Sequence, residues 1–224
     1  MGILIGTSII FVWFIHLFII LMYVNLNNNY FLTALHILIQ AYLYTGLFIT
    51  AHDAMHGTVS KNKMINNLIG KTASFLFAGL SYNILLKNHK LHHKYPGKEQ
   101  DPDFYVKSPN FFIWWFMFIK RYATIVQIVI MAIAFNILKL WFNELQIWIF
   151  WVLPAVLGTL QLFYFGTYKP HKYPHLKEME PHNARTLNKN HIWAMVSCYF
   201  FGYHHEHHSF PYIPWWKLYL TKKS

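Results

Sequence analysis

The sequence predicts an all-α integral membrane protein in which about four transmembrane helices form two hairpins beneath a cytoplasmic helical cap. Three observations support this fold class. Of the 224 residues, 55% are hydrophobic and only 12% are charged, whereas a soluble domain averages roughly 25% charged residues. The chain contains four long apolar runs, and its basic residues are concentrated outside them. This composition excludes an ordinary soluble domain and a disordered chain, because neither could keep so much apolar and aromatic surface in water.

The four apolar runs cover residues 3–24, 30–51, 122–140 and 145–168. Each can cross ~30 Å of hydrocarbon, which takes about 20 residues of helix. Residues 25–29 join the first two runs and residues 141–144 join the last two, so each pair is expected to form a tight helical hairpin. The first run lacks a basic leader and a small-residue cleavage site, and we interpret it as a span and not as a signal peptide. Residues 1–224 are expected to form one domain.

The distribution of basic residues predicts the orientation of these spans. Segment 52–121 holds ten of the 19 Lys and Arg residues, segment 169–224 holds eight, and Lys139 lies at the opposite end. Because segments rich in Lys and Arg stay in the cytoplasm, both segments and both chain termini are expected there. The net charge of +11 is therefore attributed to membrane orientation, and no nucleic-acid partner is expected.

Three shorter apolar runs lie within the two cytoplasmic segments: Ser74 to Leu86, Phe111 to Ile119 and Trp193 to Tyr203. They are too short to span, and we expect re-entrant or interfacial helices. The pairs Trp114-Trp115 and Trp215-Trp216 fit the interfacial belt that tryptophan favours. The single cysteine, Cys198, has apolar neighbours and is expected to be an inert packed thiol.

Histidine is the unusual component of the composition, with 15 residues against eight Asp and Glu. Residues three and four apart share one face of a helix, so histidines at these spacings can aim their imidazoles at one point. Such spacings occur in three groups, which supply enough ligands for two metal ions: His52 and His56; His89, His92 and His93; and His204, His207 and His208. The isolated His16, His36 and His191 are interpreted as structural.

The type and number of ligands narrow the choice of metal. Neutral imidazole suits zinc, copper, iron and nickel, but a structural zinc site normally has four ligands and often uses cysteine. Soluble di-iron bundles use Glu-x-x-His motifs, and the chain has few carboxylates and no such motif. The pattern favours a histidine-dominated two-iron centre at a membrane surface.

The three histidine boxes resemble those of the membrane fatty-acid desaturase and hydroxylase superfamily, and further motifs resemble the bacterial-type carotenoid 4-ketolases within it. The resemblance covers residues 46–218, about three quarters of the chain. The matching stretches are His52-Asp-Ala-Met-His-Gly57, His89-Lys-Leu-His-His93, Pro96-Gly97, Asp101-Pro-Asp-Phe104, Gly166-Thr-Tyr-Lys-Pro-His171, His182-Asn-Ala-Arg185, Gly202-Tyr-His-His-Glu-His-His208 and Pro214-Trp-Trp216. Lys169 and Lys172 depart from the family pattern around His171.

The resemblance implies a non-haem di-iron oxygenase that converts the C4 methylene of a carotenoid β-ionone ring to a ketone. It implies two Fe²⁺ ions, O2 as co-substrate, a carotenoid that comes from the bilayer, an electron donor such as ferredoxin, and a bacterial inner membrane. The three boxes would supply eight iron ligands, and His171 matches an additional family histidine and is the candidate ninth. His182 and His205 are weaker candidates for that position.

Four carboxylates lie inside or just after the boxes: Asp53, Asp101, Asp103 and Glu206. A ligating histidine usually donates its other N–H to a carboxylate or a carbonyl, which fixes its tautomer. We expect these four residues to orient the ligands and thereby to assist catalysis.

Two alternatives remain open at the level of sequence. The same di-iron centre could serve a fatty-acyl desaturase or a carotenoid 3-hydroxylase, although fatty-acyl desaturases commonly have longer chains and a longer first box. A non-catalytic histidine-rich metal-binding or transport protein would place its ligands inside the spans, where only His16 and His36 occur. Aromatic and Met side chains of residues 74–86 and 111–118 are candidates to line a substrate route from the lipid.

Overall fold

The computed structural model describes residues 1–26, 29–188 and 190–222. Its helices are α1 (Gly2–Tyr23), α2 (Tyr30–Met55), α3 (Lys63–Ala78), α4 (Tyr82–Lys94), α5 (Phe111–Tyr122), α6 (Ile125–Leu138), α7 (Glu144–His171), α8 (His191–Cys198) and α9 (His204–Ser209). Short 3-10 segments cover Lys177–Met179 and Trp215–Thr221. No β-strand occurs in the described part of the chain, so the predicted all-α class is confirmed. Asn27 and Asn28 of the predicted first connection lie outside the described residues, as do Lys189, Lys223 and Ser224.

Three helices, α1, α2 and α7, are long and apolar enough to cross a membrane. They coincide with the predicted spans 3–24, 30–51 and 145–168, each within a few residues of the expected ends. The connection between α6 and α7 is short, because α6 ends at Leu138 and Asn143 caps the start of α7, and the rings of Phe135 and Trp148 in the two helices lie 5.1 Å apart. The predicted apolar helices are therefore confirmed at three of four positions.

The predicted third span, residues 122–140, is corrected by the structure. Its helix, α6, has only 14 residues, about 21 Å of rise, and it meets α5 at a bend of 90°. The bend follows from local sequence: Thr124 caps α6, and its side chain and that of Gln127 form a reciprocal capping box. Helix α5 consequently ends at Tyr122 and α6 begins at Ile125, close to the predicted boundary between the short apolar run and the third span.

A second bend of 100° separates α3 from α4. Gly79 ends α3 in the left-handed region at φ 66°, a conformation that favours glycine because it has no Cβ. The described residues contain up to five spans by length and composition if each bent pair forms one span. The predicted short helix over Ser74 to Leu86 is therefore the junction of two helices.

The other short apolar runs become α5 and α8, and one expectation about their tryptophans is wrong. Trp114 is 2% exposed and its Nε1 donates to the carbonyl of Asp103 at 2.8 Å. It is a packing residue of the interior and not part of an interfacial belt, because its indole N–H finds a protein acceptor there.

Helix α2 is the centre of the molecule and packs against α1, α3 and α7. Tyr44 and Leu47 of α2 are fully buried in the main apolar core, together with Ile147 and Phe150 of α7. Cys198 is also buried in this core, and its burial raises the pKa of its thiol. The prediction of a packed cysteine is confirmed. The packing of this core holds α2 and α7 against each other.

Helix α7 contains two π-helical turns, Trp148–Val152 and Tyr164–Tyr168. Pro154 and Pro170 follow them by two residues. A proline lacks the backbone N–H and its ring clashes with the carbonyl four residues earlier, which explains why the helix widens at these places. The second π turn lies just before His171 and sets the direction of that side chain, and π turns are frequent at functional sites.

Candidate metal centre

Nine histidines meet at one end of the helical core. They come from the last turn of α2 and its cap, from one face of α4, from the end of α7 and from α9. In chain order they are His52, His56, His89, His92, His93, His171, His204, His207 and His208. The helical spacing in each box places its imidazoles on one side, as the sequence predicts, and the packing of the four helices brings these sides together.

The first cluster consists of His52, His56, His89 and His207, whose ligand nitrogens all lie within 4.8 Å of one another. The Nε2 atoms of His56 and His89 are 2.7 Å apart, and those of His52 and His207 are 3.1 Å apart. His93 joins this cluster, since its Nε2 lies 3.0 Å from Nε2 of His207. Four imidazoles thus converge on one point, and His93 lies beside them.

The second cluster consists of His92, His171, His204 and His208, all of them buried. Nε2 of His208 lies 3.1 Å from Nε2 of both His92 and His204. The two clusters are in direct contact, because the rings of His93 and His208 stack at a centroid distance of 4.3 Å. The arrangement offers two adjacent groups of nitrogen ligands.

The spacing of the nitrogens fits metal ligation. Imidazole nitrogens bind a metal such as zinc at about 2.0–2.1 Å, so neighbouring ligand nitrogens should be separated by about 3.0–3.4 Å in octahedral or tetrahedral geometry. Most of the distances above lie in this range. Burial lowers the pKa of His204, His207 and His208, and the neighbouring histidines lower it further. These three imidazoles are therefore neutral and their lone pairs are free for a cation.

His171 provides an independent indication of a bound cation. Its Nδ1 donates to the carbonyl of Asn183 at 2.9 Å, which leaves Nε2 unprotonated. This Nε2 is buried and has no hydrogen-bonding partner in the described part of the chain. A buried acceptor without a donor is costly, but a metal ion in the second cluster would satisfy it. Asn183 was not predicted as a site residue, although it follows His182 in the stretch His182-Asn-Ala-Arg185.

Asp101 fixes the orientation of one ligand, His92. Nδ1 of His92 lies 3.0 Å from both carboxylate oxygens of Asp101, which also accept the N–H groups of Gly97 and Asp103 at 2.8 Å. Burial alone would raise the pKa of Asp101, but the charge and hydrogen bond of His92 hold it below its ordinary value. The predicted orienting contact is present for this carboxylate.

The other three carboxylates have different contacts. Asp53 accepts the backbone N–H of Trp215 at 3.1 Å and lies 3.7 Å from Nδ1 of His52. Asp103 accepts the hydroxyl of Tyr122 and lies 3.9 Å from Nδ1 of His92, and burial raises its pKa to about 6. Glu206 accepts the hydroxyl of Thr186.

Histidines outside the clusters have partners of their own. The ring of His182 lies 5.5 Å from that of His208 by centroid, and Nδ1 of His205 donates to the carbonyl of Ala184 at 3.0 Å. His16 and His36 face each other between α1 and α2, with 3.2 Å between their ring nitrogens. The structure brings neither His182 nor His205 into the groups of converging nitrogens.

A cavity of about 610 Å³ opens beside the two clusters. His52, His89, His92 and His204 line one end of it, and Phe135 and Trp148 line the other. Between them the walls are mainly apolar. Phe77, Leu80, Trp115 and Phe118 belong to this wall, as expected for the aromatic side chains of residues 74–86 and 111–118. Such a cavity accommodates a long apolar ligand with one end at the histidines.

Comparisons with known proteins agree with this geometry. The family model for fatty acid desaturase matches residues 28–141 and 111–223. The chain is 38% identical over 185 residues to a zeaxanthin 4-ketolase of Chlamydomonas reinhardtii, covering 79% of this chain and 41% of that protein. It is 37% identical over 190 residues to a beta-carotene ketolase of Paracoccus sp. (strain PC1), covering 82% of this chain and 76% of that protein.

A third relative, beta-carotene 4-ketolase 3 of Haematococcus lacustris, is 34% identical over 189 residues, which is 81% of this chain and 59% of that protein. The chain thus spans less than two thirds of the algal relatives and about three quarters of the bacterial one. No solved structure gives a significant match. The converging histidines, the apolar helices and these matches lead to one conclusion: the chain belongs to the fatty acid desaturase family, in the group that includes the carotenoid ketolases.

Proposed function

We propose that the protein is a membrane di-iron oxygenase that converts the C4 methylene of a carotenoid β-ionone ring to a ketone. The observation that supports this most directly is the apolar cavity that ends at two clusters of converging imidazoles. The allylic C–H bond at C4 is far too weakly acidic for a side-chain base, so an oxidising metal centre must supply the chemistry. Two non-haem iron ions would provide it by activating O2.

The proposed reaction consists of two hydroxylations at one carbon. Each consumes one O2, two electrons and two protons, inserts one oxygen atom into a C–H bond and releases one water. The resulting geminal diol loses water and leaves the ketone. The residues of the chain bind and orient the reactants of these two hydroxylations, and the walls of the cavity exclude bulk water.

The protein's own groups have separate tasks in this proposal. The five imidazoles of the first cluster and the four of the second hold the metals, with His171 as the ninth ligand. Asp101 and the carbonyl of Asn183 fix the tautomers of His92 and His171 through their Nδ1 protons. The apolar walls position the ring edge that bears C4 towards His92 and His204.

The proposed location is a bacterial inner membrane, with α1, α2 and α7 in the bilayer and the histidine-bearing segments and both chain ends in the cytoplasm. The high proportion of basic residues in these segments supports this orientation. An apolar carotenoid dissolves in lipid, so we expect it to reach the cavity from the bilayer. Residues 1–224 would act as one domain, since α2 and α7 contribute both to the core and to the centre.

Electrons would arrive from a soluble redox protein such as ferredoxin. Helix α4 has Lys87, Lys90 and Lys94 exposed to solvent. At 100° per residue these three side chains share one face, and the histidines of α4 point away from it. The lysine face thus offers a docking surface for an acidic partner one helix diameter from the centre.

The function is tested by expression in a bacterium that accumulates β-carotene, followed by chromatography and mass spectrometry of the pigments. We expect products that gain one oxygen and lose two hydrogens per ring, which indicates C4 ketones. Products that gain one oxygen without loss of hydrogen would indicate a hydroxylase. Unchanged pigment from a well-expressed, iron-loaded protein would contradict carotenoid oxidation and favour an acyl-lipid substrate.

A further inference from the structure

One polar pair interrupts the apolar wall of the cavity close to the histidines. The hydroxyl of Tyr122, at the end of α5, donates to Oδ1 of Asp103. Both residues line the cavity, and 13% of the Asp103 side chain is exposed. Trp114 and Arg121 hold the backbone beneath this pair, through bonds to the carbonyls of Asp103 and Pro102. The carboxylate therefore has a fixed position.

The pair lies at the reacting end of the cavity. Oδ2 of Asp103 is 3.9 Å from Nδ1 of His92, too far for a hydrogen bond. Oδ1 is occupied by Tyr122, so Oδ2 retains its capacity to accept a proton donor. A ligand in the cavity is in a position to supply that donor.

Other polar side chains of the cavity wall have partners within their own segments or in neighbouring helices. The amide of Gln127 donates to the carbonyl of Ala78 at 2.8 Å, and that of Asn136 donates to Ala132 at 2.8 Å. The hydroxyl of Thr159 donates to Val156 at 2.7 Å. In each of these three hydrogen bonds the side chain of the cavity wall is the donor. Asp103 instead offers a charged acceptor beside the metal ligands.

The position of this acceptor matches one feature of ring chemistry. In a β-ionone ring C3 is bonded directly to C4, so an oxygen on C3 lies two bonds from the carbon that is oxidised. With C4 held at the histidines, a 3-hydroxyl would lie within a few ångströms of it and could donate to a carboxylate there. The hydroxyl would bind Oδ2 and leave the Asp103–Tyr122 bond intact, whereas an unsubstituted ring would leave Oδ2 without this donor.

We propose that Asp103, positioned by Tyr122, accepts a hydrogen bond from the 3-hydroxyl of a hydroxylated β-ionone ring and so makes the protein favour 3-hydroxylated carotenoids over unsubstituted ones. This inference rests on the proposed C4 oxidation for its assignment of the ring position. It assigns a specificity role to Asp103 that is separate from any effect on His92.

The experiment compares zeaxanthin with β-carotene, offered in equal amounts to the full-length protein in lipid nanodiscs with reductant and O2. We expect the ratio of kcat/KM for zeaxanthin to that for β-carotene to fall at least about fivefold in Asp103→Leu, because the charged acceptor is gone. Asp103→Asn should give an intermediate ratio. Tyr122→Phe should preserve or increase the preference, since it frees Oδ1 as a second acceptor. Tyr105→Phe, in the same segment and outside the cavity wall, is the matched control.

A purely structural role for Asp103 predicts a different pattern, in which Asp103→Leu and Tyr122→Phe reduce both substrates equally. That result, or an unchanged ratio in Asp103→Leu, would overturn the inference. A second measurement is the binding of the two carotenoids to iron-free protein, detected by the shift in their absorption. Tighter binding of zeaxanthin that disappears in Asp103→Leu supports the inference even where turnover of both substrates is lost. Absence of ketone from the wild-type protein would instead contradict the proposed function.

Discussion

The choice of ring nitrogen decides what each histidine of the centre can do. His92 and His171 both donate from Nδ1, to Asp101 and to the carbonyl of Asn183. Nδ1 is thus engaged in both residues, and Nε2 is the nitrogen left to face the second cluster. The box spacing indicates which histidines share a face, but it does not indicate these acceptors, which come from loops far along the chain. Asp101 was predictable because it follows its box closely, whereas Asn183 was not.

His207 is expected to be indispensable for metal binding. Its Nε2 lies 3.1 Å from that of His52 and 3.0 Å from that of His93, so its loss would open the first cluster. We expect His207→Ala to form no ketone and to hold less iron, measured by metal analysis of purified protein. His191→Ala is the control, because its Nδ1 pairs with the hydroxyl of Tyr203 outside the clusters. Full activity and iron content in His207→Ala would refute the ligand assignment.

The stability of the metal-free protein should fall on acidification. Burial lowers the pKa of His204, His207 and His208, so near pH 5.5 the unfolded chain binds protons that the folded chain does not. Stability therefore decreases as the pH falls below about 6.5. Asp103 acts in the opposite direction, because its raised pKa of about 6 lets the folded state take up one proton. His92 acts in the same direction as Asp103, because the neighbouring Asp101 outweighs burial and raises its pKa to about 9. The pKa of His89 and His93 is lowered as well, so the groups with a lowered pKa outnumber these two. We therefore expect a lower Tm at pH 5.5 than at pH 7.5.

The measurement is thermal unfolding of chelator-treated protein in detergent at the two pH values. Iron-loaded protein is the control, since metal binding holds the imidazoles neutral and should reduce the difference. A Tm that is equal or higher at pH 5.5 in the metal-free protein would show that the histidines are not buried as described.

At the scale of elements, helix α7 carries the ligand His171 just after its second π turn. Its second π turn contains Gly166, where an added Cβ would meet the ring of Phe201 at 2.0 Å. Phe201 in turn packs edge-on against His52 at a centroid distance of 5.0 Å. The absence of a side chain at residue 166 thus permits the close approach of α7 to the segment before α9.

Gly166→Ala should therefore disturb both stability and the centre. We expect a loss of about 1–3 kcal/mol in the free energy of unfolding, as is typical of overpacking, and less iron per protein. The double variant Gly166→Ala/Phe201→Leu should recover part of the stability, because the smaller side chain makes room for the Cβ. Chemical denaturation and metal analysis test this expectation. A single variant with wild-type stability would show that Phe201 moves aside without cost.

The lysine face of α4 leads to a prediction about electron supply. Charge reversal at Lys87, Lys90 and Lys94 should raise the KM for an acidic ferredoxin by about tenfold or more at low salt, because docking is driven by complementary charge. Product formation with a small chemical reductant should be unchanged. Lys107→Glu, in an exposed loop, is the control. Equal effects with both reductants would indicate damage to the centre and contradict the docking role.

At the scale of the whole molecule, the apolar helices and the metal centre occupy different regions. The polar contact of His16 and His36 with Gln40 lies between α1 and α2. Gln40 precedes His52 by 12 residues of helix, about 18 Å of rise. This network joins two helices inside the apolar region and has no contact with the clusters.

His16→Ala should therefore leave the chemistry intact. We expect ketone formation and iron content within about twofold of wild type, and a loss of about 0.6 kcal/mol in unfolding free energy, the average for hydrogen bonds between membrane helices. Pigment analysis, metal analysis and unfolding in detergent test the three quantities. Loss of iron in this variant would overturn the structural interpretation of His16.

The sequence by itself determined the helical class, three of the apolar helices and the histidines that share a face in each box, because these depend on local hydropathy and helical periodicity. It did not determine the angles of 100° and 90° at the bends near Gly79 and Thr124, because local caps set the angle between two consecutive helices. The division of nine histidines into two clusters was decided only by tertiary structure. Convergence requires α2, α4, α7 and α9 to pack at fixed angles, and such long-range contacts leave no periodic signal in the chain.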